Sequence, residues 1–341
     1  MSIQVCIKKK LSATFTLDVE FEKNDDHMAI LGASGSGKSM TLKCIAGVET
    51  PDFGRIVIGG TTVFDSAAGI NIKPQQRRTG YLFQDYALFP TMTAAQNIAC
   101  GMQNQKSALS QWLARFGLEA LAKHYPHQLS GGQRQRVALA RMLAASPQTI
   151  LLDEPFSALD ELSRERTRSD LFTYLQGIHN VLLVTHNHSE AYEICGETAF
   201  MENGSILAQG LTHEMFQNPR TLTMASRIGC KNISPIVKLT DQLLLATQWN
   251  LHLNTATPIP DSITHIGIHA HTILPAHGKE NTFPIQIIHL LKGLTETTIQ
   301  CKHAKAPQTS TIWWKTAKPF TETPTCLTIP PEAILYLRND C

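Results

Sequence analysis

Apolar and polar residues alternate from Phe15 through Leu17 and Val19 to Phe21, the period of two that lines one face of a strand. The run His27–Leu31 is short and mostly apolar, and it reads as a buried strand. Behind it, 40–46 reads as a helix that stops at Gly47, a residue suited to a left-handed helix end. Apolar runs of strand length return at 149–152 and 181–184, and both end in polar side chains. Between 89 and 145 the pattern turns helical, over Ala94–Gly101, 108–116 and a segment beginning at Ser130. Near Cys230 it changes again: β-rich runs at 242–246, 265–271, 284–289, 297–302, 310–314 and 325–329 are separated by Pro, Gly and Asn. These elements predict an α/β domain over 1–228, with a helical subdomain over about 89–145, and a small all-β domain over 229–341.

A chemical motif stands at the first strand–helix junction. Gly32-Ala33-Ser34-Gly35-Ser36-Gly37-Lys38-Ser39 fits G-x-x-x-x-G-K-[ST], with a strand before it and a helix opened by Met40 after it. The glycines let successive N–H groups converge on a phosphate, and the helix N-terminus adds its positive dipole end. Lys38 is expected to reach the β- and γ-phosphates and the Ser39 hydroxyl to ligate Mg²⁺. The expected ligand is a nucleoside triphosphate.

A second set of motifs points to a family. Leu129-Ser130-Gly131-Gly132-Gln133 precedes Arg134-Gln135-Arg136, and Thr149-Ile150-Leu151-Leu152 ends in Asp153-Glu154. Tyr81-Leu82-Phe83-Gln84-Asp85 comes earlier; Ser157-Ala158-Leu159-Asp160 and Leu182-Leu183-Val184-Thr185-His186 come later. Six motifs in this order resemble an ATP-binding cassette (ABC) ATPase. The resemblance implies a P-loop ABC ATPase domain with ATP and Mg²⁺ as cofactors. It places Asp153 and Gln84 with Ser39 around the metal, Glu154 as general base on the attacking water, and His186 on the γ-phosphate. Glu154 follows Asp153 directly and would point the other way along an extended strand, toward where an attacking water would lie in line with the γ-phosphate. Ser130, Gly131, Gly132 and Gln133 would form an anion site at a helix start, with Asp160 in the D-loop, and their phosphate would come from a second copy packed head to tail.

The resemblance also implies partners. The helical subdomain would contact a transmembrane permease that works with a solute-binding protein, and Gln84-Asp85-Tyr86-Ala87-Leu88-Phe89-Pro90 would join that contact to the nucleotide, with Tyr86 and Phe89 as contact candidates. The β module resembles the oligonucleotide-fold-like C-terminal domain of bacterial import ATPases through Ile266-Gly267-Ile268-His269-Ala270-His271. His269 stands where that family usually has arginine, so any contact it serves would be weaker or depend on pH. Gly54-Arg55-Ile56-Val57-Ile58-Gly59-Gly60, Ile70-Asn71-Ile72-Lys73-Pro74 and Arg77-Arg78 look most like molybdate and sulfate importer ATPases. Molybdate is the expected cargo, with sulfate, iron or another small solute as alternatives. An ABC ATPase of DNA repair or translation is the alternative from another class, but neither the long coiled-coil insertion nor the second cassette with a basic linker appears.

Composition narrows the picture further. The 341 residues are 43% hydrophobic and 17% charged, and no apolar run approaches the roughly 20 residues that span a bilayer. No signal-peptide core is visible at the N-terminus, so the expected place is peripheral, on the cytoplasmic face of a membrane. Eight cysteines are scattered without a C-x-x-C pair, which favours reduced thiols. A net charge of +2 implies no nucleic-acid partner; Lys8-Lys9-Lys10, Arg77-Arg78 and Arg164, Arg166 and Arg168 read as solvated faces. His265, His269 and His271 would share one solvated strand face, and Trp313 and Trp314 would point to opposite faces. Residues 5–14 hold no aromatic to stack on adenine; Phe15 is nearest, and its alternation with Leu17 and Val19 favours core packing.

Overall fold

The computed structural model describes residues 2–24, 27–102, 108–157, 168, 171–175, 178, 180–276, 280–293, 295–317 and 324–339. The chain divides into two units, Met1–His213 and Glu214–Cys341.

In the first unit, β1 (Ile3–Lys10) and β2 (Thr16–Lys23) form an antiparallel pair in which Val5 faces Phe21 and Ile7 faces Val19. Strands β4 (Phe53–Ile58), β5 (Thr61–Asp65) and β6 (Ile70–Asn71) extend it into a sheet of order β2-β1-β4-β5-β6. A second sheet is built from β3 (His27–Leu31), β7 (Thr79–Leu82), β8 (Thr149–Asp153), β9 (Val181–Thr185), β10 (Glu197–Glu202) and β11 (Ser205–Leu211). Its order is β11-β10-β3-β9-β8-β7, parallel except for the edge strand β11. All residues of β8 and β9 are buried, as expected of central parallel strands covered on both faces.

Helix α1 (Lys38–Ala46) joins both sheets in one core: Leu42, Cys44 and Ile45 cluster with Ile3, Leu17 and Ile56 of one sheet and Met28, Leu151 and Val184 of the other. Truncating the fully buried Leu42 to alanine should cost about 2–5 kcal/mol and loosen the helix that carries the phosphate loop. Gly47 ends α1 at φ 79°, and Arg77 secures the same end. The Arg77 guanidinium donates to the carbonyls of Cys44, Ile45 and Ile72 and to Asn71 Oδ1. Arg77 is therefore buried rather than solvated, because the last carbonyls of a helix need donors and a guanidinium carries five.

Helices α2 (Ala94–Gly101), α3 (Leu109–Arg115) and α4 (Gly131–Ala144) stand where the helical period predicts. α2 and α4 approach so closely that a Cβ on Gly101 would lie 2.0 Å from the Arg141 carbonyl oxygen.

The second unit carries two antiparallel sheets. One has the order β14-β13-β12-β15-β21, from Asn232–Lys238 (β12), Leu243–Ala246 (β13), Leu251–Asn254 (β14), His265–Ile268 (β15) and Leu335–Leu337 (β21). The other has the order β16-β20-β17-β18-β19, from Leu274–Pro275 (β16), Thr282–Lys292 (β17), Thr297–His303 (β18), Ile312–Thr316 (β19) and Cys326–Thr328 (β20). Leu253, Ile266, Ile299 and Trp314 lie in their common core. Trp314 is buried and Trp313 is half-buried with Lys231 Nζ 4.6 Å over its ring, which agrees with opposite faces. The histidine strand is shorter than expected. β15 ends at Ile268, because the His269 carbonyl accepts from the Thr272 amide (3.0 Å) and hydroxyl (2.8 Å) and closes a turn. His269 and His271 thus stack on each other at 5.3 Å instead of sharing a strand face with His265.

Candidate functional site

The carboxyl ends of β3, β8 and β9 lie side by side, the position at which parallel α/β sheets bind ligands. The loop after β3 bends under steric command: a Cβ on Gly32 would sit 2.2 Å from the Met201 carbonyl oxygen. The turn between β10 and β11 supports the loop, since the Gly204 amide donates to the Ser36 carbonyl at 3.0 Å. Ala33, Ser34 and Gly35 are exposed on its outer side. Gly37 caps α1 at φ 107°, a left-handed conformation, and no side chain accepts from the first turn. The N–H groups of that turn are therefore open to an anion. Among the described residues the buried Ser36 Oγ has no hydrogen-bond partner, a second sign of a cradle shaped for polar ligand atoms. Met40 packs its side chain against the core and contributes backbone to the first turn.

Lys38 Nζ is folded onto the loop, donating to the Gly32 (2.8 Å) and Ala33 (3.0 Å) carbonyls, and lies 3.9 Å from Glu154 Oε1. Burial lowers its pKa from the usual ammonium value, while the charges of Glu154 and Asp153 oppose that shift. Ser39 Oγ donates to Asp153 Oδ1 at 2.7 Å. Tyr81 OH donates to Asp153 Oδ2 at 2.9 Å, and burial, then Asp153, push the phenol's pKa well above its ordinary value. A nearly buried carboxylate joined to a serine hydroxyl is a hard oxygen pair that suits Mg²⁺.

Glu154 departs from the extended course expected of it. β8 ends at Asp153, and Glu154 takes φ 44°, a left-handed conformation that costs a non-glycine residue about 1–2 kcal/mol. Its amide is held by the Val184 carbonyl (2.9 Å), and its own carbonyl accepts from Ser157 Oγ at 2.9 Å. In this turn its side chain stands beside the phosphate loop, 3.9 Å from Lys38 Nζ. Glu154 Oε2 lies 3.5 Å from Gln84 Nε2 and 3.4 Å from His186 Nδ1. Gln84 follows β7, His186 follows β9, and one carboxylate gathers both. Backbone strain held in place by such contacts is typical of functional positions.

Ser130 caps α4 in a closed box: its Oγ accepts from the Gln133 amide (3.3 Å) and the Gln133 Oε1 accepts from the Ser130 amide (2.8 Å). Gly131 and Gly132 form the first turn. Among the described residues, no hydrogen bond joins these four to the phosphate loop. Asp160 lies outside the described residues, as do Arg164 and Arg166.

Two further residues stand beside the site, one of them Phe15, the aromatic nearest to an adenine stacker whose alternation favours core packing. Tyr81 was visible only as part of a motif string. Phe15 is half-buried outside the core cluster, and its Cζ is 3.6 Å from where a Cβ on Gly37 would lie. The alternation holds for Leu17, Val19 and Phe21, but Phe15 precedes β2 in a turn where its carbonyl accepts from the Leu11 and Ser12 amides. A further correction concerns the contact candidates: Tyr86 is buried, whereas Phe89 is exposed with Arg141 5.3 Å over its ring.

Comparison with known proteins agrees with this geometry. The family model described as ABC transporter matches residues 16–157. The probable sulfate/thiosulfate import ATP-binding protein CysA of Chlorella vulgaris is 40% identical over 239 residues, covering 66% of this chain and 97% of that protein. The putrescine transport ATP-binding protein PotG of Escherichia coli is 40% identical over 213 residues, covering 60% of this chain and 55% of that protein. The dimeric post-hydrolysis structure of the ATP-binding cassette MJ0796 with ADP and Pi is similar at TM-score 0.53 and 27% identity, covering 62% of this chain and 99% of that one.

Proposed function

The chain belongs to the ABC transporter family, and from that premise we propose that it is the subunit whose ATP hydrolysis powers import of a small oxyanion through a separate membrane permease. The observation that supports this most is the convergence of Lys38, Ser39, Asp153, Gln84, Glu154 and His186 at the uncapped start of α1.

In this reading the open N–H groups of α1 and Lys38 receive the β- and γ-phosphates, and Lys38 exchanges its loop carbonyls for them. Ser39, Asp153 and Gln84 would hold Mg²⁺, which neutralises charge on the transferred phosphoryl group. Glu154 takes a proton from the attacking water, and His186 hydrogen-bonds the γ-phosphate and orients that water. Phe15, beside Gly37, offers its ring to the base. The N–H groups of Gly131 and Gly132, with Ser130, Gln133 and Asp160, serve the nucleotide of a second copy, so the working form is a head-to-tail homodimer. The MJ0796 cassette is itself dimeric in its solved structure. A permease, a solute-binding protein and a peripheral place on the cytoplasmic face of the membrane belong to the same reading. Residues 229–341 are assigned a regulatory role beside an ATPase domain of 1–228.

The cargo follows from relatedness, since it never touches the ATPase site. The motif resemblance favours molybdate, and the Chlorella vulgaris relative is named for sulfate and thiosulfate. Uptake of labelled molybdate and sulfate, measured in cells whose native copy is replaced by Glu154→Gln, separates the two. Loss of molybdate uptake alone establishes molybdate, and loss of sulfate uptake alone establishes sulfate. Persistence of both would overturn the oxyanion assignment.

A further inference from the structure

Asp153 is only 3% exposed, and among the described residues two hydroxyls hold its carboxylate, Ser39 on Oδ1 and Tyr81 on Oδ2. A hydroxyl carries one proton and two lone pairs, so Ser39 can donate to Asp153 and still offer oxygen to a metal. The direction of that lone pair depends on where Asp153 Oδ1 stands. The other carboxylate oxygen is fixed by Tyr81, whose own ring has little freedom: it packs on the core cluster and lies 4.3 Å from the Phe83 ring. Tyr81 comes from β7, which pairs with β8 so that Tyr81 faces Leu151, two residues before Asp153. The phenol thus reaches from the neighbouring strand to the end of β8.

We propose that Tyr81 is a positioning residue for the divalent metal, acting through the chain Tyr81–Asp153–Ser39. Its hydroxyl pins Asp153 Oδ2, which leaves Oδ1 to orient the Ser39 proton and turn the serine lone pairs toward the metal. This rests on the reading of Ser39 and Asp153 as the metal pair. Partners that orient metal ligands in this way typically contribute about 10- to 100-fold to metal affinity.

The test is Mn²⁺ binding to the full-length protein with bound ADP, followed by electron paramagnetic resonance, in wild type, Tyr81→Phe and Asp153→Asn. ADP affinity in excess EDTA is measured alongside. Tyr81→Phe keeps the ring against Phe83 and removes only the hydroxyl. It should weaken Mn²⁺ binding about 10- to 100-fold and leave metal-free ADP affinity unchanged. Tyr81→Met, which also lacks the hydroxyl, gives the same reading if the ring substitution lowers stability. Wild-type Mn²⁺ binding by Tyr81→Phe beside weakened binding by Asp153→Asn would overturn the role of Tyr81 alone. An equal loss of ADP affinity in EDTA would reduce Tyr81 to a packing residue. Wild-type Mn²⁺ binding by Asp153→Asn would overturn the metal pair itself, and the role of Tyr81 with it.

Discussion

Helices α1 and α4 both begin at glycine-containing segments, but their first turns are finished in opposite ways. Among the described residues, Gly37 leaves the start of α1 without a side-chain cap, beside a buried Ser36 hydroxyl that has no partner. Ser130 and Gln133 close the start of α4 with a reciprocal capping box. A capped helix start has satisfied its third-position amide and its cap amide within the chain, and only the first two N–H groups are left for a ligand. On the proposed reading, phosphate affinity in a single chain belongs to α1, and α4 offers a weaker surface that a second copy would complete.

The comparison breaks most severely at Lys38. Lys38→Met removes a charged donor from the uncapped start, and ATP affinity of the isolated chain should fall roughly 100-fold, as expected for about 3 kcal/mol in a hydrogen bond to a charged group. Equilibrium binding of a fluorescent ATP analogue measures it. Phe15→Ala tests the same end at the base. Losing a base–aromatic stack of about 1–3 kcal/mol should weaken ATP by about 10-fold, while tripolyphosphate binds as before. Equal loss for both ligands would return Phe15 to a packing role.

Ser130→Ala sharpens the contrast from the other side. It should lower stability by about 1 kcal/mol through the lost cap, without changing ATP affinity of the isolated chain. Thermal unfolding and nucleotide titration of one sample give both numbers. Two histidines give the fold an acid sensitivity. Burial, then His271, lowers the pKa of His269 below the usual histidine value, and burial does the same for His188. A lowered base binds fewer protons folded than unfolded, so stability is complete above about pH 6.5 and is lost as pH falls through the lower folded values. His269→Gln should flatten that decline slightly, as read from urea midpoints at about pH 7.5 and about pH 5.5.

Much of this was legible in the residues, because each motif fixes both a chemistry and a place. The phosphate loop, the buried runs 149–152 and 181–184, and the helix over Ala94–Gly101 appear where period and punctuation predict. Side-chain destinations at element ends were not legible. Phe15 fits the strand alternation by spacing but lies one residue before β2, where turn hydrogen bonds set its direction. Glu154 reads as one more residue of an extended strand, whereas β8 ends at Asp153 and Glu154 takes φ 44°. Arg77 reads as a surface charge, and only the open carbonyls of α1, distant in sequence, explain its burial. The short strands Leu251–Asn254 and Leu335–Leu337 carry too few residues to show a period, and only pairing with their neighbours defines them.

The central claim, that a phosphate loop on one chain works with the signature helix of another, is tested most directly by mixing two inactive variants. Lys38→Met disables the phosphate loop and leaves the signature intact; Ser130→Arg obstructs the signature and leaves the phosphate loop intact. In a head-to-tail dimer of the two, one composite site combines both damaged parts and the other combines both sound ones. The account predicts that the mixture hydrolyses ATP although neither variant does so alone. A mixture as inactive as its components, with dimers confirmed by sedimentation, would contradict it.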